Sequence, residues 1–333
     1  MPLDELDRRL LDAIQNEFPV EACPFKSFGE RFSISEDEAL ERVRRFQREG
    51  TIREISPVFD LKRLGYSSTL CSAETEPDRV EEVAKAINTY SEVTHNYLRE
   101  HVFNIWFTLI AQTPEDIRRI LDEIGALPGV KRVISLPSRR MFKIDVHFQA
   151  GAEKKAVHTA KVLPKDAGGV IPLRDWEMRL IGILGEPLPL VSRPFAAVAE
   201  RAGIEEADVL DRLHAWKASG AIRRFGARVA HHKLGYTANG MSVWRVAEDE
   251  AEAAGQIMAK QPEVSHCYLR ETPAGWEYNL YGMIHGTSED EVRAVAARIA
   301  ELTGLRDYDV LFSVREFKKS VPRYFNEEQA VPS

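Results

Sequence analysis

Near the start of the chain apolar residues recur with the period of a helix. In LDELDRRLLDAIQ, Leu6, Leu10, Leu11 and Ile14 share one face. PFKSFGERFSIS then predicts a short helix and a turn, with Ser35 as the N-cap of the next helix. That helix, EDEALERVRRFQREG, turns Ala39, Leu40, Val43 and Phe46 to one side and stops at Gly50. Thr51 to Val58 reads as a strand, which completes a winged helix-turn-helix. From there the pattern alternates. STLCSAETE, VTHNYLRE, FNIWFTLIAQ and VKRVISLPS read as strands, and DRVEEVAKAINTY and PEDIRRILDEIGAL as helices. The order β-α-β-β-α-β is that of a ferredoxin-like module.

The same pattern occurs twice. At a shift of 170 residues Pro24-Phe25 falls on Pro194-Phe195, Glu30-Arg31 on Glu200-Arg201, Ile52-Arg53 on Ile222-Arg223 and Leu64-Gly65-Tyr66 on Leu234-Gly235-Tyr236. One residue is then gained, so that His95-x-Tyr97-Leu98-Arg99-Glu100 matches His266-x-Tyr268-Leu269-Arg270-Glu271. Four more enter around Thr272 to Gly275, after which Asn104 matches Asn279 and Arg140-x-Phe142-Lys143 matches Arg315-x-Phe317-Lys318. So constant a register marks a duplicated unit. The expected fold is α+β, a tandem repeat of winged helix-turn-helix plus ferredoxin-like module. Its divisions are residues 1–60 and 61–148 in the first half, a connector at 149–172 rich in Ala, Gly and Lys, and 173–230 and 231–333 in the second half. The two ferredoxin-like modules are expected to pair as an internal pseudo-dimer, with the winged helices flanking them. A further homodimer stays open.

Composition narrows the function. The net charge of −7 opposes general polyanion binding. Cys23, Cys71 and Cys267 are odd in number and share no C-x-x-C spacing, which points to a reducing compartment. MPLDELDRRLLDAI is charged from its fourth residue, unlike a signal peptide, and no apolar run reaches the roughly 20 residues of a membrane span. The expectation is a cytoplasmic protein without a membrane partner. No G-x-G-x-x-G, P-loop, H-E-x-x-H or zinc spacing occurs.

A winged helix followed by a ferredoxin-like module resembles the Lrp/AsnC regulators, whose second module dimerises and binds small ligands. DNA binding is disfavoured here. A recognition helix enters the major groove by its N-terminal residues, and these ends carry Glu36, Asp37 and Glu38 in one half and Glu205, Glu206 and Asp208 in the other. Acids outnumber bases 13 to 9 between Asp4 and Glu54, and the count is 8 to 8 between Arg174 and Arg224. Longer strings then sharpen the likeness. HNYLREHVFNIWFTL, SHCYLRETPAGWEYNLYGMIHG, RRFGARVAHHKLGYTANGMSVWRV and LFSVREFKKSVPRYF resemble the siroheme decarboxylases, in the fused arrangement of the Nir D–L type and close to the Ahb A–B pair. The resemblance implies removal of carbon dioxide from the C12 and C18 acetates of siroheme, giving 12,18-didecarboxysiroheme. No cofactor is expected beyond the iron-bearing substrate. A tetrapyrrole-sensing regulator and a noncatalytic carrier are the alternatives, and the sequence does not separate the haem d1 pathway from a haem pathway.

The chemistry needs cations for carboxylates and a proton for the carbon that loses carbon dioxide. Arginine pairs with carboxylates through a planar fork. On a regular strand His95, Tyr97 and Arg99 share one face, and so do His266, Tyr268 and Arg270. These six residues, with Asn104, Asn279, Trp106 and Trp276, are the expected substrate contacts. His101 and His231, matched by the resemblance and unpaired between the halves (their counterparts are Trp276 and Leu61), are the expected acid–base residues. Either could instead bind the substrate's iron, and no resident metal is expected. Arg140, Lys143, Arg315, Lys318 and Lys319 are read as following the last strand of each half, with Lys319 as solvated charge. His147 and His285 are read as surface or structural residues.

Overall fold

The computed structural model describes residues 3–16, 18–144, 169–230 and 236–325. The first half opens with helices α1 (Glu5–Asn16), α2 (Pro24–Phe32) and α3 (Glu36–Arg48) and the wing strand β1 (Ile52–Phe59). Ser35 caps α3, its hydroxyl accepting from the Glu38 N–H at 3.1 Å. The module follows as β2 (Ser67–Thr75), α4 (Val80–Thr89), β3 (Val93–Arg99), β4 (Ile105–Ala111), α5 (Pro114–Gly125) and β5 (Val130–Ile144). The second half repeats this with α6 (Asp175–Leu184), α7 (Pro194–Ala202), α8 (Glu206–Ala218), β6 (Ile222–Val229), β7 (Ala238–Trp244), α9 (Ala251–Ala259), β8 (Val264–Arg270), β9 (Leu280–Gly286), α10 (Glu289–Thr303) and β10 (Tyr308–Lys319). Gly50 and Gly220, matched in the repeat, leave α3 and α8 at φ +70° and +76°, a conformation that only glycine adopts without strain.

The two modules close one eight-stranded barrel, in the order β10-β3-β4-β2-β5-β8-β9-β7. Its seams are β5 on β8 and β10 on β3, so the last strand of each half pairs with an edge strand of the other. This revises the sequence reading: Arg140, Lys143, Arg315, Lys318 and Lys319 lie within these strands, not after them. The extra strand length is created by the partner edge, which a local pattern does not reveal. The same residues lace the seams. Arg140 faces Glu252 on α9 at 3.6 Å, and Arg315 pairs with Glu81 on α4. Lys143 donates to the Gln261 carbonyl, and Lys318 to those of Asn88 and Tyr90, at the C-terminal ends of α9 and α4. Arg315 and Glu81 are both largely exposed, so their pair contributes little. The strand ladders and the packed faces hold the seams.

Each sheet packs its outer face on its own helices. Inside the barrel a separate aromatic-rich cluster joins Phe103, Trp106, Leu136, Met241, Val243, Trp276, Tyr281 and Leu311. The winged helices do not merely flank. β1 and β6 pair antiparallel, and the two helical units share one core. Phe18 stacks on Phe225 at 5.7 Å, and Phe59 meets Trp216 edge-on at 5.9 Å. Each such buried ring contributes about 2–3 kcal/mol, so the wings form a fixed roof. The expected connector lies mostly outside the described residues.

Candidate active site

The two histidine rows lie on the inner face of the barrel. Tyr97 is in register with Trp106 of the inner cluster. Asn96 turns outward to Asn88 and the Ala84 carbonyl, and Leu98 packs on the outer core. Both rows contain a bulge. The register slips between Val93 and His95 on β3 and between Val264 and His266 on β8. Bulges re-aim neighbouring side chains, and here each sets a hydroxyl against the following imidazole. Thr94 Oγ1 lies 3.0 Å from His95 Nδ1, and Ser265 Oγ lies 2.8 Å from His266 Nδ1. The bond is to the inner ring nitrogen, so Nε2 forms the outer tip of both rings.

The wings bring charge to this end of the barrel. Burial, then the basic groups Lys319, Arg228, His266 and Arg53, push the His95 pKa down to about 3. Arg53 comes from β1 and reaches Glu316 on β10 at 3.3 Å. Glu316 also accepts from the Tyr97 hydroxyl at 3.4 Å. Arg228 on β6 pairs with Glu54 at 3.2 Å. In the second row Arg223 replaces Arg53. It donates to Asp60 at 2.7 Å and lies 3.3 Å from Met141 Sδ, the counterpart of Glu316. Lys319 is partly buried, and burial followed by Arg53 lowers its pKa. It is therefore not the solvated charge read from the sequence.

The other expected site residues divide into groups. Arg99 is 3% exposed and donates Nη1 to the Leu311 carbonyl. Arg270 does the same to the Leu136 carbonyl at 2.8 Å. Both reach across a seam to the opposite half, and neither has a carboxylate partner among the described residues. Burial lowers the pKa of both, to about 10 for Arg99. Asn104 bonds both backbone groups of Thr75, and Asn279 both of Val246, so their amides fix the sheet ends instead of facing the cavity. Trp106 and Trp276 are core residues. The indole of Trp106 donates to the Phe103 carbonyl, and that of Trp276 to the Tyr278 carbonyl.

His101 departs from the row. The strand ends at Arg99, and the chain bends so that the His101 N–H bonds the Arg99 carbonyl at 3.0 Å. His101 Nδ1 accepts from the Phe103 N–H at 3.0 Å, and its ring meets Trp276 edge-on at 5.4 Å. Burial lowers its pKa. It lies at the opposite end of β3 from His95, roughly 14 Å away along the strand. His231 and His147 lie outside the described residues. Sequence reasoning missed Arg53, Arg223 and Arg228, although the repeated Ile-Arg pair at 52–53 and 222–223 was a signal. His285, read from the sequence as surface or structural, is buried. That ring, 8% exposed, reaches Ser265 Oγ through Nε2 at 2.9 Å. Among the described residues no three His, Cys, Asp or Glu side chains group to hold a metal, and no helix is long and apolar enough to cross a membrane.

The profile of the AsnC-like ligand binding domain matches residues 63–143 and 233–318. That of the siroheme decarboxylase NirDL-like HTH domain matches 7–53 and 177–223. A siroheme decarboxylase of Hydrogenobacter thermophilus is 37% identical over 98% of this chain and 96% of its own. The chain belongs to the siroheme decarboxylase family. Within that family the NirDL subunit of Paracoccus denitrificans is 34% identical over 96% of this chain and 97% of its own. The beta subunit of the Methanosarcina barkeri enzyme is 43% identical and covers 43% of this chain, about one half of the repeat. The crystal structure of a siroheme decarboxylase NirDL superposes with a TM-score of 0.72 at 34% identity, covering 98% of this chain and 96% of that one. A second crystal structure, of NirDL in complex with an iron-uroporphyrin III analogue, gives the same TM-score at 33% identity.

Proposed function

We propose that this chain removes carbon dioxide from the C12 and C18 acetate side chains of siroheme, and that the macrocycle enters the wing end of the barrel. One observation carries the placement. His95, His266, Lys319, Arg53 and Arg228 converge there from five strands, three of the barrel and two of its roof. Two carboxylates, Glu316 and Glu54, pair with that group. An excess of partly buried positive charge fits a substrate rimmed with carboxylates. The uncompensated charges of Arg99 and Arg270 deeper in the barrel add to the same field. The family relative crystallised with an iron-uroporphyrin III analogue supports a tetrapyrrole of this kind.

Each decarboxylation converts R–CH2–COO⁻ and one proton into R–CH3 and carbon dioxide. The C–C bond breaks, its electron pair is spread over the macrocycle, and a proton closes the methyl group. We assign that proton to His266. His95 is neutral at pH 7, because its pKa is near 3, so its imidazole serves as an acceptor or as a ligand to the substrate's iron. His101 and His231 hold acid–base roles by resemblance. For His101 the Phe103 N–H on Nδ1 makes Nε2 the proton-exchanging atom, but its distance from the charged end ranks it below His266. The setting we propose is the cytoplasm, with no resident cofactor.

The regulator reading fares worse. α3, the helix that would enter a groove, has Glu36, Asp37 and Glu38 in its first turn. Glu36 is bonded to Ser192, and Arg44 to the Leu190 carbonyl at 2.8 Å, both in the other half. Anaerobic incubation with siroheme followed by mass spectrometry of the tetrapyrrole tests the proposal. Loss of two carbon dioxide units is expected. Tight binding with no mass change would leave a carrier or sensor.

A further inference from the structure

We propose that Ser265 and His285 form a relay behind His266 that fixes its tautomer and refills it with a proton during decarboxylation. The inference rests on the placement of siroheme at the wing end. Its basis is a chain of three polar groups across β8 and β9: His266 Nδ1 to Ser265 Oγ at 2.8 Å, and Ser265 Oγ to His285 Nε2 at 2.9 Å. The Met283 carbonyl also lies near the hydroxyl, but at 3.4 Å. The β8 bulge brings these groups together, because without it Ser265 and His266 would face opposite sides of the sheet.

The first half has the same bulge and the same hydroxyl–imidazole bond, Thr94 to His95. It lacks the third member. The counterpart of His285 is Ile110, equally buried, and the two take equivalent backbone bonds, to the carbonyls of Glu92 and Glu263. The hydroxyl therefore belongs to the shared scaffold, and the second imidazole is an addition to one half.

A serine hydroxyl has one hydrogen to give and accepts others. When it donates to His266 Nδ1 and accepts from His285 Nε2–H, His266 carries its own hydrogen on Nε2, the outer tip. As Nε2 gives that proton to the substrate carbon, the hydroxyl hydrogen passes to Nδ1 and the His285 Nε2 hydrogen passes to Oγ. The step needs His285 to enter protonated on both nitrogens, and it leaves neutral with its hydrogen on Nδ1. Water returns one proton before the next turnover. The sum is one proton consumed and one carbon dioxide released per acetate. Ser265 and His285 are positioning residues; neither touches the substrate.

The test uses the full chain with siroheme under anaerobic conditions. S265A and H285I, the latter installing the residue of the first half, should lower kcat about tenfold or more and leave KM within about twofold. S265T should recover most of the loss, since Thr94 makes the equivalent bond. The rate in mixtures of H2O and D2O should curve for the wild type, where several protons move together, and become linear in S265A. A structural role would not produce that change. Wild-type kcat in S265A and H285I, with H266A inactive, would overturn the relay alone. Wild-type kcat in H266A would overturn the relay and the placement beneath it.

Discussion

The two histidine rows are copies of one pattern whose surroundings now differ. In the first, His95 stands among Lys319, Glu316 and Tyr97, with Ile110 behind. In the second, His266 stands beside Ile144 and Met141, with His285 behind. The first row has Lys319 and Glu316 beside the imidazole and an apolar residue behind it; the second has Ile144 and Met141 in their places and a second imidazole behind. Burial and then the charge in front keep His95 neutral, whereas the polar chain behind His266 suits it to the proton transfer proposed above. On the roles proposed here, duplication lets one scaffold separate binding from proton transfer, which a symmetric homodimer could not do.

The widest separation between the rows should appear in turnover. H266A is expected to lower kcat by about 100-fold or more, the usual worth of a general acid. H95A should act mainly on binding, with kcat within about tenfold of wild type. H101A and H231A should lie between these limits. Single-turnover rates followed by mass spectrometry rank the four variants. If H95A proves the most damaged in kcat, the division of labour is the reverse of that argued here.

Binding should separate the rows next. K319I installs the second-row residue, Ile144, in the first row, and should weaken siroheme about tenfold, the worth of one charge-assisted contact. E316M installs the counterpart of Met141 and frees Arg53 from its carboxylate, so it should tighten binding several-fold. Titration of the Soret band gives both constants. Equal affinities in the two variants would show that the carboxylates do not meet this row.

Much of this was legible in the sequence, and the exceptions share a cause. The repeat, the N-cap Ser35 and the His-x-Tyr-x-Arg face follow from local periodicity, and the structure has all three. The reach of β5 past Ser138 was not legible, because Arg139 to Ile144 is held as a strand by β8 from the other half. The bulges were also hidden: Val-Thr-His and Val-Ser-His read as plain alternation, and only the slipped register shows that hydroxyl and imidazole lie together. Arg53 and Arg228 reach the site from the wings, distant in sequence from the row they serve. Lys319 misled because lysines are usually solvated; here it is partly buried, with Arg53 and Arg228 nearby. In the other direction, Asn104 and Asn279 looked like ligand contacts because they match between halves, yet equivalent sheet ends need the same bonds.

The smallest expected effect is on acid stability. His95 titrates near 3 in the folded chain and near 6.5 when unfolded. Between these values the unfolded chain binds the extra proton, so stability falls as pH drops from about 6.5 toward 3. Burial is the first cause of the shift and Lys319 the second. K319I should therefore raise the His95 pKa while leaving it below 6.5, which narrows the window. The variant should lose less stability than the wild type as pH falls from about 4.5 toward 3, because its folded state takes up the proton sooner; at pH 7.5, where His95 is neutral in both states, the two differ only by the loss of the lysine. His266 shares none of this front-side charge from its own strand neighbours, Met141 and Ile144, so M141L should leave the acid slope unchanged. Urea midpoints across this pH range measure both. A slope in K319I as steep as that of the wild type would mean that Lys319 does not set the charge state of the first row, and the contrast between the rows would then rest on the relay behind His266.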